Sequence, residues 1–315
     1  MQGSLDGRAR LLVTLDGLSI GDAFGERFFG TDPAVRGSRA AQRLLPDDLR
    51  SGGPWRWTDD TAMAVSVVVE LLENGRIVEA SLAARFAAAY AREPDRGYGS
   101  KAHEILGELV AGVPWQEAAA RPYGGTGSKG NGGAMRAAPI GVFFDEVDVV
   151  VEEAVKSALP THRHPEGIAG AVAIAVAAWS LARGDDDDDV WSLVLRCTPA
   201  GATHDNLSAA RALPAQTTPE QASDVVGSGQ RVLAEDTVGY CVWSALRGRP
   251  LGFELALFET VRGFGDIDTN CAIVGGLLAL PLTMSFGVDA VPSALRAKRE
   301  PLPRGLSLAA FQESP

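Results

Sequence analysis

Two apolar segments of this 315-residue chain begin with the same kind of polar cluster, and this pairing limits the folds that the chain can adopt. Each segment starts with a threonine and two aspartates: Thr58, Asp59 and Asp60 before TAMAVSVVVELL, and Asp266, Asp268 and Thr269 before CAIVGGLLAL. Both segments are predicted to be helices, and a helix that is apolar on most sides is buried. The fold must therefore hold these four carboxylates close to its interior.

The clusters have two explanations from the pattern alone. Asp and Thr side chains cap helix starts, where they accept hydrogen bonds from unpaired N–H groups and where negative charge is favourable. If the two clusters instead meet in space, buried carboxylates would repel one another, and a hard divalent cation such as Mg²⁺ would offset that repulsion. The pattern leaves both explanations open.

Helical patterns dominate the rest of the chain. Segments such as LAARFAAAYAREP, VEEAVKSAL and FELALFETVRGF place apolar residues three and four positions apart, whereas strand-like alternation is nearly absent. Predicted helices end at Gly or Pro, for example at Gly75 and Pro94. The Ala-rich stretch from Gly167 is short for a bilayer span, which favours a buried core helix. We predict an all-α fold, as a single domain over residues 1–315.

Two polar stretches are predicted to be surface loops. The acidic run from Asp185 to Asp189 matches no calcium-binding loop and is predicted to be a solvated lead into a helix. The stretch LPAQTTPEQASDVVGSGQ, from Leu213, reads as a surface connection whose GSG part lies near a ligand.

Composition excludes several classes of partner. The net charge is −11 and the basic residues are scattered, so binding to nucleic acid or to an anionic membrane is not expected. Cys197, Cys241 and Cys271 lack metal-ligand spacing and fit a reducing compartment. The N-terminus carries charges where a signal peptide needs an apolar run. We expect a cytoplasmic monomer.

Five motifs, in this order, resemble those of one enzyme family. They are LDGLSIGDAFGERFF, WTDDTAMA, GNGGAMRAAPIGVFF, THRHPEG and GDIDTNCAIVGG. Together they closely resemble the ADP-ribosylglycohydrolase family, which includes the dinitrogenase-reductase-activating glycohydrolases. The resemblance covers about residues 10–285 and weakens over 200–230 and in the C-terminal tail.

The resemblance implies a compact all-α globule with two magnesium ions at the base of a cleft, where Mn²⁺ can replace Mg²⁺. It implies that the six residues of the two polar clusters are the metal ligands. The implied ligand of the cleft is ADP-ribose or an ADP-ribosylated molecule.

A glycine-rich stretch, YGGTGSKGNGGAMRAAP, separates the two clusters. Its G-x-G-x-x-G pattern has no predicted strand before it, so a dinucleotide-binding βαβ unit is not indicated, and it lacks the ending of a Walker A motif. The stretch is either a flexible loop before a helix near Ala134 or a backbone cradle for a pyrophosphate. The resemblance implies ligand contacts at Ser128, Gly130, Asn131, Gly132 and Met135.

One arginine and three histidines have less certain roles. Arg136 is predicted either to reach a phosphate or to pair with an acid and hold the loop. A lone histidine is more often structural than a ligand, but the resemblance implies that His162 binds in the cleft. His164 stays ambiguous, and His204 receives no role.

The implied reaction is hydrolysis of the glycosidic bond between ADP-ribose and an acceptor. Such a bond breaks through an oxocarbenium-like transition state, with Asp59 or Asp60 as the candidate general base. A two-metal phosphoesterase acting on a nucleotide would use the same ligands. A non-catalytic relative of the crystallin type should have lost ligands, yet all six positions are filled. The acceptor is open: arginine, serine, another side chain, a nucleic-acid base or a small molecule.

The chain departs from the family at one acidic position. Relatives often carry a glutamate eight residues after the first Gly of the G-D-x-x-G motif, and here that residue is Phe29. Glu26 lies three residues earlier, one helical turn away if the segment is helical. Glu26 is therefore a candidate catalytic residue, and the alternative is a solvated acid beside a Phe29 that merely lines the cleft.

Overall fold

Helices and short turns make up residues 5–29 and 54–306, the part of the chain that this computed structural model describes. Within these ranges the only strand-like pairings are two isolated bridges, Trp55 with Arg299 and Gly130 with Leu233. The all-α prediction is confirmed.

The helices are α1 (Gly7–Gly25), α2 (Asp59–Asn74), α3 (Glu79–Arg92), α4 (Ser100–Val110), α5 (Trp115–Ala118), α6 (Pro122–Gly125), α7 (Gly132–Met135), α8 (Ala138–Phe143), α9 (Val147–Ala158), α10 (Pro165–Ala182), α11 (Asp187–Cys197), α12 (Ala202–Arg211), α13 (Pro219–Val226), α14 (Val238–Gly248), α15 (Phe253–Val261), α16 (Ile267–Phe286) and α17 (Ser293–Lys298). Single 3₁₀ turns cover Glu26–Phe28, Ala234–Asp236, Arg249–Leu251 and Val288–Ala290.

Helices α10 and α16 form the centre of the core. Both are long and apolar enough to cross a membrane by length and composition, yet 72% and 83% of their apolar windows are buried inside the protein. Helices α7, α8, α9 and α11 pack against α10, and α1, α14 and α15 pack against α16, which removes the apolar surface of both helices from water. The predicted core helix that begins near Gly167 is confirmed.

Helix α1 packs along α16 through a row of glycines. Gly17, Gly21 and Gly25 repeat one turn apart and face the backbone of α16, and a Cβ on Gly25 would lie only 2.6 Å from the Cα of Asp268. Larger residues would force the helices apart, because glycine alone lets two backbones approach this closely. This packing brings the end of α1 against the start of α16.

The ends of α2 and α3 follow the predicted signals. Thr58 caps α2 in an extended conformation, and its hydroxyl accepts a hydrogen bond from Asp60 N–H. Gly75 ends the helix in the left-handed region, at φ 67°. Helix α3 ends at Arg92, two residues before Pro94. Capping therefore explains Thr58 as predicted, without excluding a second role.

One of the two predicted loops needs correction. Within the stretch from Leu213, Pro219–Val226 is helix α13, which starts with a capping box between Thr218 and Gln221. Proline at the first position of a helix does not interrupt it, because its missing N–H has no intrahelical partner there. The acidic run is as predicted: Asp186 caps α11 by accepting from Asp189 N–H.

Candidate metal and ligand site

The two polar clusters meet. The starts of α2 and α16 lie side by side at the end of α1, and Thr269 Oγ1 lies 3.5 Å from Asp60 Oδ2 across the junction. Carboxylate oxygens of Asp22, Asp60 and Asp268 all lie within 4.8 Å of one another. The two clusters are therefore close together in space, as the resemblance implies, and helix α1 adds a further carboxylate beside them.

Asp22 supplies that carboxylate, and the sequence motifs do not assign it. Its carboxylate accepts hydrogen bonds from Thr58 N–H (2.9 Å), Thr58 Oγ1 (2.9 Å), Thr61 N–H (3.0 Å) and Thr61 Oγ1 (2.5 Å). Both of its oxygens are therefore engaged in fixing the first turn of α2. Asp22 therefore orients the Thr58–Thr61 segment, and its buried position beside Asp60 keeps its charge in the cluster.

The cluster is electrostatically costly without a cation. Burial, followed by the charges of Asp22 and Asp266, raises the pKa of Asp59 to about 8. Burial and neighbouring carboxylates also raise the pKa of Asp60 and Asp268 well above the usual range. Acids placed so close together cannot all ionise unless positive charge is nearby.

The donor set fits a hard divalent metal ion. Among the described residues, Asp60 Oδ1 is buried and has no hydrogen-bond partner. Such an atom is costly to leave unpaired, and a cation would satisfy it. The surrounding donors are carboxylate and hydroxyl oxygens, the ligands that Mg²⁺ prefers.

The second cluster differs from a helix cap. Asp266 stands at the N-cap position of α16 but makes no side-chain capping bond. Its Oδ2 instead accepts from Asn131 Nδ2 at 2.7 Å, and its N–H donates to Ser228 O at 2.9 Å. The GSG loop thus packs directly behind the cluster, and Gly229 is needed there because a Cβ would lie 2.6 Å from Asp266 Cβ.

A cleft of about 410 Å³ opens from the acids. This volume lies in the range of small-molecule sites, about 300–1,000 Å³. Its lining includes these predicted residues: Asp59, Asp60, Asp266, Asp268, Thr269, Ser128, Gly130, Asn131, Gly132, Met135 and His162. Thr58 lies buried at the start of α2, with 6% exposure.

A larger depression, of about 910 Å³, lies between Leu181–Asp188 and Pro281–Phe286. Its acids have ordinary structural partners: Asp186 caps α11, and Asp187 pairs with Arg249 at 2.6 Å. The cleft at the two clusters is therefore the better candidate site.

The glycine-rich stretch forms one wall of the cleft, but several of its N–H groups already donate hydrogen bonds within the protein, including those of two residues that line the cleft. Gly130 N–H donates to Ser128 Oγ at 3.2 Å, and Asn131 N–H donates to Val232 O at 3.2 Å. The stretch therefore offers an anion fewer free N–H groups than the sequence suggested. Helix α7 has only four residues, so its dipole adds little to anion binding. Direct ligand contact by these residues stays a prediction.

His162 lines the cleft as a neutral ring. Its Nδ1 lies 2.8 Å from Thr161 Oγ1, and burial together with the charge of Arg136 lowers its pKa to about 3. A Cβ on Gly132 would lie 2.8 Å from its Cε1, so the glycine makes room for the ring. His164 has a structural role, because its Nδ1 accepts from Glu166 N–H at the start of α10.

The structure corrects both predictions for Arg136. Its side chain is fully buried and donates to Gly132 O (2.9 Å), Ser157 O (2.7 Å) and Thr161 Oγ1 (2.8 Å). Its guanidinium also stacks on Phe86, 4.5 Å from the ring centroid. Arg136 therefore holds the glycine-rich loop through carbonyl and hydroxyl oxygens rather than through an acid, and it does not face the cleft.

Glu26 lies near the acids, just beyond the end of α1. It begins the 3₁₀ turn Glu26–Phe28, and its charge is close enough to raise the pKa of Asp59 and Asp268. Phe29 packs, half-buried, against the core. Glu26 therefore adds negative charge close to the cluster, and its catalytic role stays a prediction.

Comparison with known proteins agrees with this geometry. The family model described as ADP-ribosylglycohydrolase matches residues 4–312. The chain belongs to the ADP-ribosylglycohydrolase family. The match includes α1, α2 and α16, the three helices that meet at the acids.

Individual relatives cover less of the chain or are more distant. Human ADP-ribosylhydrolase ARH3 is 33% identical over 195 residues, 59% of this chain and 54% of that protein, so the chain spans about half the length of such relatives. An uncharacterized protein of Archaeoglobus fulgidus is 30% identical over 269 residues, 83% of this chain and 84% of that protein. A solved structure named "ADP-ribosylglycohydrolase-related protein complex" shares the fold, with a TM-score of 0.65 and 22% identity over 94% of this chain and 93% of that chain.

Proposed function

We propose that this protein is a Mg²⁺-dependent hydrolase that cleaves the glycosidic bond between ADP-ribose and an acceptor. The observation that carries the proposal is the meeting of two polar clusters and Asp22 at a cleft of about 410 Å³. Family membership supports the reaction class, and the name of the ARH3 relatives, ADP-ribosylhydrolase, supports the substrate class.

Six side chains would hold the metal ions. They are Thr58, Asp59, Asp60, Asp266, Asp268 and Thr269. Bound Mg²⁺ would supply positive charge that keeps the acids ionised and would act as a Lewis acid on the oxygens it contacts. Asn131 and Asp22 would hold the proposed metal ligands in place. Asn131 Nδ2 donates to Asp266 at 2.7 Å, and Asp22 accepts from Thr58 Oγ1 at 2.9 Å.

Asp59 is our choice for the general base. Both aspartates line the cleft, but Asp59 is partly exposed, whereas Asp60 is 1% exposed. Asp59 would take a proton from the water whose oxygen bonds to the anomeric carbon of the ribose. The acceptor atom would leave with the electron pair of the glycosidic bond and take up a proton, for which Glu26 is the candidate donor.

The glycine-rich wall and His162 would bind the ADP-ribose moiety. The His162 ring is neutral at physiological pH, so it can donate one hydrogen bond without adding charge. Ser128, Gly130, Gly132 and Met135 would contact the nucleotide as small or flexible groups along the same wall.

Product analysis tests the proposal. Purified protein is incubated, with Mg²⁺ and with chelator, with peptides ADP-ribosylated on arginine or on serine and with small ADP-ribosylated molecules. We expect intact ADP-ribose and free acceptor from at least one substrate, only with metal. Release of AMP or phosphate instead would identify a phosphoesterase, and unchanged turnover in chelator with no bound metal would exclude the metal mechanism.

A further inference from the structure

The segment after α17 reaches back to the metal-ligand segment. Residues 298–302, here called the C-terminal strap, lie beside the residues that lead into α2. Trp55 N–H donates to Lys298 O at 2.6 Å, and Glu300 N–H donates to Trp55 O at 2.8 Å. The strap therefore fixes the backbone three residues before Thr58, the first residue of the polar cluster.

Arg96 connects the strap to that cluster. Its Nη1 donates to Trp57 O at 3.0 Å and to Glu300 Oε2 at 2.6 Å, and its Nη2 donates to Glu300 Oε1 at 2.9 Å and to Glu93 Oε1 at 2.6 Å. Its Nε also donates to Glu93, at 3.1 Å, so all of its nitrogens have acceptors. The guanidinium carbon lies 3.5 Å from the centroid of the Trp57 ring.

This geometry holds the residue next to the metal ligands from two sides. Arg96 donates a hydrogen bond to the Trp57 carbonyl and stacks on the Trp57 ring, and Trp57 is bonded covalently to Thr58. The next residue along from Arg96, Gly97, has φ +90°, and a Cβ on it would lie 3.6 Å from both Asp59 Oδ1 and Thr58 Cβ. A displacement of Arg96 would therefore reach the ligand segment through Trp57.

We propose that Arg96 and Glu300 form a positioning pair that sets the Thr58–Asp60 segment for divalent metal binding. The proposal rests on the proposed function in one respect, the binding of Mg²⁺ by the cluster. The contacts of the pair reach the Thr58–Asp60 segment through Trp57, to which Arg96 donates a hydrogen bond and on whose ring it stacks. Partners that orient metal ligands commonly change metal affinity by about 10–100-fold when removed.

The test uses Glu300→Gln in the full chain, because this change removes charge, keeps shape and affects a side chain that is 29% exposed. We expect the Kd for Mg²⁺, measured by isothermal titration calorimetry, to rise about tenfold. We also expect faster amide exchange in the peptide that contains Trp57–Asp60. Turnover should recover at saturating Mg²⁺, which a general loss of folding would not allow.

The matched control is Asp187→Asn. Asp187 pairs with Arg249 at the same 2.6 Å, and Arg249 also donates to a carbonyl, Asp185 O, but this pair lies away from the cleft. The control should leave the Kd and the exchange at Trp57–Asp60 unchanged. Arg96→Lys should reproduce the Glu300→Gln effect, since lysine cannot bind both acids and the carbonyl in one plane.

The outcomes separate the two proposals. If the wild type binds Mg²⁺ and Glu300→Gln binds it equally well, with unchanged exchange, the positioning pair is refuted and the proposed function stands. If the wild type itself binds no divalent metal ion, the proposed function fails, and with it the role of the pair in metal binding.

Discussion

Asp22 is the residue whose replacement best tests how the site is held together. Asp22→Asn keeps the shape of the side chain but puts an amide NH₂ in place of one oxygen; in place of Oδ1, it removes an acceptor that now takes two hydrogen bonds, from Thr58 N–H (3.1 Å) and Thr58 Oγ1 (2.9 Å). Hydrogen bonds to a charged group are worth about 1.5–3 kcal/mol each, so losing two costs about 3–6 kcal/mol. Removing the cost of burying the Asp22 charge offsets part of this, and we expect the free energy of unfolding to fall by about 2–4 kcal/mol.

The assay is urea denaturation in chelator, at about pH 8 so that Asp22, whose pKa is raised to about 6, is ionised. Mg²⁺ titration of the same proteins, in buffer without urea or chelator, should show affinity reduced about tenfold or more. Glu153→Gln is the matched control: Glu153 is also a buried acid that accepts a backbone N–H, from Ile77, but it lies outside the cleft. It should lower stability and leave Mg²⁺ affinity unchanged. Unchanged stability and affinity in Asp22→Asn would refute the positioning role.

Three further predictions concern the acids. Asp60→Asn or Asp268→Asn should remove most turnover while keeping the helical circular dichroism, and near-normal turnover in both would contradict their assignment as ligands. In chelator, the melting temperature should fall as pH rises from about 5 to about 9. The reason is that the pKa of Asp59 is about 8 in the folded protein against an ordinary 3.8, so the folded protein keeps a proton that the unfolded chain releases. Saturating Mg²⁺ should flatten this slope, and a melting temperature that rises with pH in chelator would argue against the raised pKa. Glu26→Gln should slow turnover if Glu26 moves a proton. Phe29→Glu should change the preference between arginine- and serine-linked substrates. Equal rates in all variants would mean that Asp59 and Asp60 carry out the proton transfers without Glu26.

Local sequence signals predicted the helices and their ends well. Thr58 and Gly75 act through hydrogen bonds and dihedral angles within a few residues, so their roles can be read from the neighbouring sequence. The burial of α10 also follows from its own composition, because this Ala-rich helix carries a charged residue only in its first turn, Glu166, and has no polar face to expose. Helix α13 differs from the predicted loop because a proline at the first position of a helix resembles a loop residue, although the capping residues Thr218 and Gln221 are present in the sequence.

The partners within the site could not be predicted in the same way. Asp22 joins the acids only because the glycine face of α1 lies against α16, a contact between residues more than two hundred positions apart. Arg136 is fully buried and bonded to carbonyls, which no local pattern indicates for a residue type that is usually exposed. Arg96 likewise finds Glu300 across the fold.

The most direct test of the account is the location of divalent metal ions in the protein. Crystals are soaked with Mn²⁺, and anomalous scattering is recorded at the manganese edge. We predict two peaks at the junction of α1, α2 and α16, bounded by Asp60 and Asp268. Absence of any peak there, or peaks confined to the surface run Asp185–Asp189, would contradict the metal site on which the proposed chemistry depends.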